Sequence, residues 1–340
     1  MRITVLTYLE REGDKTYDPV VSQVAEALRQ GGHTVGTLGA HGDLRGLIDG
    51  LSRRRPELVF NLMETFGDSQ LGAVGVVGLL DLLGLPYTGG GPGEYYVQED
   101  KALTKKLLAF DGIRYPDFAV FSRNAGLETG GHLHMPLFVK PLRMDASIGI
   151  DGHSLVRSTS EMMERVLDIH KRVGDAALVE EYIEGREFYV GVLGNGEPQA
   201  FPPIEMDFSG LPAGAPRVLD SAAKWDKGSP EYQGTRAVVA ELPDELRARL
   251  QKVALDAYRA LRVRDYGRID LRLTDTNDVY VIEVNASCYL EQSSEFATAA
   301  AAAGLDYPAL INRIAECALE RRKVGTQKVS ARRKAVGSKP

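Results

Sequence analysis

Two carboxylates, an amide and a guanidinium are spaced so that they can meet on one face of a hairpin. Arg268 and Asp270 alternate along one strand-like stretch, and Glu283 and Asn285 alternate along the next. Side chains two residues apart on a strand share a face, and the turn formers at 274–278 favour an antiparallel hairpin. Oxygen ligands among apolar neighbours suit a hard cation, which indicates magnesium. An ordinary ion-pair cluster has the same spacing.

Two further stretches have the chemistry of a nucleotide site. Lys140 ends an apolar strand and precedes a glycine-containing loop, where an ammonium and backbone N–H groups can hold a phosphate. The segment 180–183 closes another strand, whose edge could pair with adenine, and Glu187 follows with a carboxylate for ribose hydroxyls. Lys101 and Lys224 are isolated lysines in suitable places. Judged singly, the glycine loop is more often an ordinary turn, the strand edge could be a solvated sheet edge, and each isolated lysine is more often a surface charge.

Composition and charge narrow the class of protein. The chain has 340 residues and a net charge of -6, although residues 321–340 hold eight Lys or Arg and no acid. This basic tail has few apolar residues and is predicted to be disordered; without interleaved aromatic residues we do not expect it to bind nucleic acid. No apolar run approaches the roughly 20 residues of a membrane span, and no leader-like segment precedes the first strand. We expect a cytoplasmic protein that does not enter membranes.

The pattern of elements divides the chain. Strand and helix alternate over residues 1–94, which indicates a small open α/β domain. From residue 95 onward strands bounded by Gly and Pro predominate, and we expect two lobes of mixed α/β structure, 95–190 and 191–320, with a cleft between them. The hairpin belongs to the second lobe and should face the cleft. Residues 321–340 form the tail.

In order, these features resemble the ATP-grasp superfamily and, within it, the D-alanine–D-alanine ligase-like carboxylate–amine ligases. The strings that carry the resemblance are GLPYTGGG, EDKALTKKLL, FVKP with ASIGI, LVEEYIEGREF, AKW, YGRIDLRL and IEVN. The resemblance implies an ATP-grasp fold preceded by an open α/β domain. It implies an ADP-forming ligase that makes an amide bond through an acyl phosphate. It also implies amino-acid or peptide substrates and a homodimer through the first domain.

The resemblance also implies residue roles. The nucleotide-binding residues would be Lys101, Lys140, Glu180, Glu181, Tyr182, Ile183, Glu187 and Lys224. Two Mg²⁺ ions, or Mn²⁺ in their place, would be held by Asp270, Glu283 and Asn285. Arg268, Lys224 and Ser147 would be catalytic, with Arg268 stabilising the transferring phosphoryl group. The loop 142–152 and the stretch 209–236 would close over the reaction.

Departures from the family pattern fall in the substrate pockets. Ala146 replaces the first of two serines, and Trp225 follows the lid lysine. After Asn285 the usual Pro-Gly turn is absent, although Ser294 stands where a carboxylate-binding serine is expected. Tyr289 and two added acids, at positions 291 and 295, favour an amine with extra positive charge or a larger acceptor. The two acids could equally be solvated residues at the start of a helix.

The first domain and the overall function leave alternatives open. Early in the chain, Glu64 and its neighbour replace the His-Gly that the family usually has after the second strand. Glu12, Asp14 or Glu64 could hold a substrate ammonium. The leading hypothesis is an ATP-dependent carboxylate–amine ligase. A peptide-tailoring or natural-product ligase with a non-alanine acceptor is one alternative, and a catalytically silent ATP-binding regulatory module is another.

Overall fold

The first domain is a three-layer α/β unit around a parallel sheet. A computed structural model describes residues 1–14, 16–69, 71–123, 126–129, 132–145, 147–211 and 217–337. The sheet order is β2-β1-β3 with parallel pairing throughout. Its elements are β1 (Arg2–Tyr8), α1 (Pro19–Gln30), β2 (Thr34–Ala40), α2 (Leu44–Arg54), β3 (Leu58–Leu62) and α3 (Gly72–Leu82). As predicted, α1 begins after Asp18, whose side chain accepts a hydrogen bond from the Val20 N–H.

The central lobe contains an antiparallel sheet in the order β5-β4-β8-β6-β7. Its elements are α4 (Pro92–Gln98), α5 (Lys101–Phe110), β4 (Phe118–Ser122), β5 (Gly126–Thr129), β6 (Leu137–Pro141), β7 (Leu155–Val156), α6 (Thr159–Asp168), a π-helical turn (Ile169–Val173) and β8 (Ala177–Glu181). The prediction of a free sheet edge at Glu180 and Glu181 is wrong, because β8 pairs with β4 on one side and β6 on the other. The strand's continuous apolar run, Ala177–Val179, reflects this interior position.

The C-terminal lobe is built on a second antiparallel sheet, in the order β12-β11-β9-β13-β14 with β10 beside β9. Its elements are β9 (Arg186–Leu193), β10 (Gln199–Ala200), β11 (Ile204–Asp207), α7 (Ser221–Trp225), α8 (Pro230–Gly234), β12 (Arg236–Val239), α9 (Asp244–Ala260), β13 (Tyr266–Leu273), β14 (Val279–Asn285), α10 (Glu295–Ala302) and α11 (Tyr307–Gly337). The predicted hairpin is confirmed as β13–β14, and Asn277 adopts φ 62° in its turn.

Helix α11 begins at Tyr307 and continues to Gly337, so it includes most of residues 321–340, whose disorder stays a prediction. Lys, Arg, Ala and Gln are good helix formers, and they extend a helix whose first turns are already fixed by packing. The segment also begins with a buried contact, because the Arg321 guanidinium donates to Asp265 at 2.8 Å and to the Tyr87 carbonyl at 2.8 Å. Residues 338–340 lie outside the described part of the chain.

The first domain and the two lobes share hydrophobic cores, which fix their positions relative to one another. Val24 and Leu28 of α1 belong to one core with Ile311 of α11, so the first domain packs directly on the C-terminal lobe. Helix α5 of the central lobe packs on two sheets, through Ala102 on the central sheet and Leu108 on the C-terminal sheet. Among the described residues no helix is both long and apolar enough to cross a membrane.

Candidate active site

The β13–β14 register brings the hairpin's polar side chains together as predicted. Arg268 lies opposite Asn285, and Asp270 lies opposite Glu283. The Asn285 amide donates to Asp270 Oδ2 at 3.3 Å. A bulge follows Asp270, and it is at this point that the pairing register shifts. Two carboxylates and an amide therefore share one end of a rigid hairpin, while their role as metal ligands stays a prediction.

Arg268 is held on three sides. Its Nε and Nη2 atoms donate to the two Asp270 oxygens at 2.8 and 2.9 Å, and Nη1 lies 3.4 Å from Glu295 Oε2. Its guanidinium also stacks over the Tyr189 ring at 4.4 Å from the centroid. Burial raises the pKa of Asp270 to about 6, even though Arg268 opposes that shift.

Lys101 connects the glycine-containing loop with the hairpin. Its Nζ donates to the Met144 carbonyl at 2.8 Å and to Asp145 Oδ1 at 2.9 Å, and it lies 3.2 Å from Glu283 Oε1. Burial alone would raise the pKa of Glu283, but Lys101 and Lys140 outweigh it and lower that pKa to about 2. Glu283 is therefore ionised at neutral pH and available to a cation.

A second buried charge cluster lies in the central lobe. Lys140 Nζ lies 2.7 Å from Glu180 Oε1, and Lys105 Nζ lies 3.0 Å from Glu180 Oε2. Lys105 was missed by the sequence analysis, although its position one helical turn after Lys101 on α5 places both lysines on one face. The Glu180 side chain thus binds two lysines in this structure.

A cleft between the two sheets collects most of the predicted residues. The predicted residues that line it are Lys140, Ser147, Glu180, Glu181, Tyr182, Ile183, Glu187, Lys224, Asp270 and Glu283. Lys101, Arg268 and Asn285 join this group through their bonds to Glu283 and Asp270. Basic groups from both lobes therefore meet carboxylates in one cleft.

The two predicted lids are in contact. Ser147, with φ 61°, donates its hydroxyl to the Leu219 carbonyl at 2.9 Å. Leu219 precedes α7, which carries Lys224 into the cleft and is N-capped by Asp220. Ala146 and the Trp225 side chain lie outside the described part of the chain. Ser147 therefore connects the loop around residue 147 with the segment that positions Lys224.

A smaller cavity lies between the first domain and the end of β14. Glu64, Asp18 and Tyr8 line it, together with Tyr289, whose hydroxyl donates to Asp18 Oδ1 at 2.8 Å. Glu64 is open to the cavity, yet the surrounding protein desolvates it enough to raise its pKa. Glu12 is exposed in the turn after β1 and is not among the described residues that line the cavity. Of these two predicted residues, only Glu64 lines the cavity.

The structure changes the interpretation of the residues after Asn285. Glu291 accepts a hydrogen bond from the Gln23 amide at 2.8 Å, so its charge serves the packing of α1. Glu295 pairs with Arg268. Ser294 is the N-cap of α10 and accepts from the Ala297 N–H at 3.3 Å. Each of the two added acids thus has a protein partner, and their effect on the choice of amine stays a prediction.

The hairpin site fits magnesium by its donor chemistry. Among the described residues no three His, Cys, Asp or Glu side chains form a metal-binding group. Magnesium does not need one, because it is commonly held by one or two carboxylates together with substrate phosphates and water. Asp270 and Glu283 supply two such carboxylates, and Lys140 and Lys224 line the same cleft, where phosphates would complete the shell.

Comparison with known proteins agrees with this arrangement. The family described as D-ala D-ala ligase C-terminus matches residues 107–316. A D-alanine–D-alanine ligase of Aquifex aeolicus is 32% identical over 86% of this chain and 91% of its own length. A protein of Sinorhizobium fredii that carries no assigned function is 32% identical over 89% of this chain and 88% of its own length. The crystal structure of a D-alanine–D-alanine ligase from Bacillus anthracis, complexed with ATP, superimposes with a TM-score of 0.76 at 23% identity, covering 96% of this chain and 99% of that one.

The fold and the cleft define the class: an ATP-grasp protein in which two sheets enclose a cleft. Within that class, the chain belongs to the D-alanine–D-alanine ligase family of ATP-dependent ligases.

Proposed function

We propose that this chain is an ADP-forming ligase of the peptide synthase type, which uses ATP and two Mg²⁺ ions to join a substrate carboxylate to an amine. The observation that carries the proposal is the meeting of Lys140, Lys224, Asp270 and Glu283 in one cleft, with Arg268 bonded to Asp270. The lysines suit a polyphosphate, and the carboxylates suit the cations that accompany it. Mg²⁺, when bound, neutralises phosphate charge and polarises the transferred group.

The first step is phosphoryl transfer. A substrate carboxylate oxygen attacks the γ-phosphorus of ATP, the bond from that phosphorus to the β–γ bridging oxygen breaks, and ADP leaves with an acyl phosphate formed. Lys140 and Lys224 hold the phosphates in this scheme, and Arg268 faces the developing charge from β13. The contact between Ser147 and Leu219 helps to keep water out while the acyl phosphate exists.

The second step forms the amide. The amine nitrogen attacks the acyl carbonyl carbon, the nitrogen loses a proton, and inorganic phosphate leaves as the carbon–oxygen bond breaks. No covalent enzyme nucleophile is needed. Cys288 and Cys317 are both buried, consistent with structural roles. Arg268 is the cation placed to stabilise the tetrahedral oxyanion.

Small amino acids are the substrates that we propose first. Glu64, in the cavity that abuts the end of β14, would hold the ammonium of the carboxylate donor. D-alanine is the first candidate, because relatives such as the Aquifex aeolicus protein are named as D-alanine–D-alanine ligases. The sequence departures after Asn285 make other amines worth the same test.

ADP release measured across D-amino acids, L-amino acids and polyamines tests the proposal, with the product identified by mass spectrometry. We expect ADP release that depends on both substrates and an amide product. Glu283→Gln should lower turnover by at least about 100-fold while the protein stays folded, as for other electrostatic groups at a reacting centre. Glu205→Gln is the matched control, because Glu205 pairs with Arg186 away from the cleft. ATP binding without ADP release under any substrate pair would favour a silent nucleotide-binding module instead.

A further inference from the structure

A guanidinium stands inside the nucleotide cleft at a position that the sequence analysis did not single out. Arg272 lies on β13, two residues beyond Asp270, and lines the same cleft. Its side chain is 6% exposed, so its charge is almost fully removed from water. A buried arginine is stable only when its donors are satisfied, and the partners of Arg272 therefore show what it is built to hold.

Those partners come from three parts of the proposed nucleotide site. Nη2 donates to Glu187 Oε2 at 2.6 Å and to the Arg217 carbonyl at 2.6 Å, and Nη1 donates to the Gly185 carbonyl at 3.2 Å. The guanidinium lies 5.3 Å from the centroid of the Tyr182 ring. One side chain thus contacts the carboxylate proposed for ribose, the ring of Tyr182, which is a predicted nucleotide-binding residue, and the backbone that leads to the lid lysine.

The contact with Glu187 leaves that carboxylate oriented but not saturated. Glu187 Oε2 accepts from Arg272, and Oε1 accepts from the Tyr189 hydroxyl at 2.8 Å. An ionised carboxylate offers about four acceptor sites, two on each oxygen. One site on each oxygen therefore remains, and two neighbouring ribose hydroxyls are the donors that match such a pair.

The contact with Arg217 extends this support to the lid. Arg217 begins the described segment that leads through Leu219 to α7 and Lys224. Arg272 fixes the start of this segment to β13, and Ser147 fixes it two residues later. Ribose recognition and the placement of Lys224 consequently depend on the same guanidinium.

A similar trio elsewhere on the sheet provides a comparison. Arg186 donates to Glu205 at 2.6 Å and lies 4.9 Å from the centroid of the Phe188 ring. This arginine is 43% exposed, and none of the trio is among the described residues that line the cleft. The same three types of group thus occur inside the cleft around Arg272 and outside it around Arg186.

We propose that Arg272 is a positioning residue for nucleotide recognition, which holds Glu187 for the ribose hydroxyls and joins that recognition to the segment carrying Lys224. This inference about Arg272 rests on one part of the proposed function, namely that the cleft binds ATP. It does not depend on which carboxylate and amine the enzyme joins.

The test compares nucleotide affinities directly, by isothermal titration calorimetry with Mg²⁺ and with ATP, 2′-deoxy-ATP or 3′-deoxy-ATP. The full-length protein should bind ATP at least about tenfold more tightly than either deoxy nucleotide, because each lacks one hydrogen bond to a charged acceptor. In Arg272→Met this preference should fall to about threefold or less, since Glu187 is no longer oriented. Arg186→Met should retain the full preference.

A merely structural role for Arg272 would weaken all three nucleotides alike and keep their ratio. An unchanged ratio in a folded Arg272→Met protein, or an equal loss in Arg186→Met, would therefore overturn the inference. If Arg272→Met does not fold, Arg272→Lys replaces it. The lysine keeps the charge, but one ammonium cannot hold Glu187 and the Arg217 carbonyl in the same geometry. The ratio of ATP affinity to deoxy-nucleotide affinity should therefore still fall. A full-length protein that binds no ATP would overturn both proposals, whereas ATP binding without amide synthesis would overturn only the ligase proposal.

Discussion

The buried cluster of Lys105, Lys140 and Glu180 leads to a prediction about stability: the loss of Glu180 should destabilise the protein more than the loss of Lys105. Two ammonium groups share one carboxylate, at 3.0 and 2.7 Å, and all three side chains are at most 5% exposed. Removing the carboxylate leaves two like charges without a partner. Removing Lys105 instead leaves a neutral pair, because Glu180 keeps Lys140.

The magnitude follows from these distances. Opposite unit charges about 3 Å apart attract by about 5 kcal/mol at an effective dielectric of about 20. Deleting one partner of a buried pair costs about 3–5 kcal/mol, because the remaining charge stays desolvated. We therefore expect Glu180→Gln to lower the free energy of unfolding by about 4 kcal/mol or more, and Lys105→Met to lower it by only about 1–2 kcal/mol.

Chemical denaturation followed by circular dichroism measures both variants, and the double variant completes the cycle. Lys105→Met with Glu180→Gln leaves only Lys140 unpaired, so it should be more stable than Glu180→Gln alone. If Lys105→Met proves as damaging as Glu180→Gln, or if the double variant shows the sum of the single losses, the shared-carboxylate reasoning is wrong.

The same cluster predicts a pH dependence. Burial lowers the pKa of Lys105 even with Glu180 present, and Glu180→Gln removes the charge that opposes this shift. The folded variant then binds fewer protons than the unfolded chain over a pH interval that ends near the ordinary lysine pKa of about 10.4, and its free energy of unfolding rises with pH over that interval. A flat profile over that interval, relative to the parent protein, would contradict the assignment.

Two further predictions concern the C-terminal lobe. Truncation after Glu320 removes Arg321, whose partner Asp265 is fully buried, and should lower the free energy of unfolding by about 3 kcal/mol. A chain that ends three residues later keeps the Arg321–Asp265 pair and is the control. Equal thermal midpoints for the two truncated proteins would refute the prediction. Burial raises the pKa of Cys288 and of Cys317 to about 12, so only about one thiol in 10⁴ is ionised at pH 8. Neither cysteine thiol should react with an aromatic disulfide reagent until the protein is denatured. Rapid labelling of the native protein would contradict this prediction.

Local features of the fold and the hairpin could be predicted because their causes lie close together in the chain. Asp18 and Pro19 set the start of α1, and the turn at 274–278 closes the β13–β14 hairpin. Period-two alternation then fixes which side chains of that hairpin share a face. The disorder predicted for residues 321–340 rests only on their low apolar content, whereas the packing of the first turns of α11 supports a helix that runs to Gly337.

The sequence by itself determined the types of group in the site and the hairpin that presents some of them. Only the tertiary structure decided their partners. Glu180 joins Lys105 and Lys140 because β8 is an interior strand beside β6 and under α5, and Glu291 meets Gln23 across 268 positions of the chain. Arg272 lies in the cleft because two sheets close around it. Charges interact through space over a few ångströms, so spacing along the chain cannot reveal which of them meet once distant strands have packed.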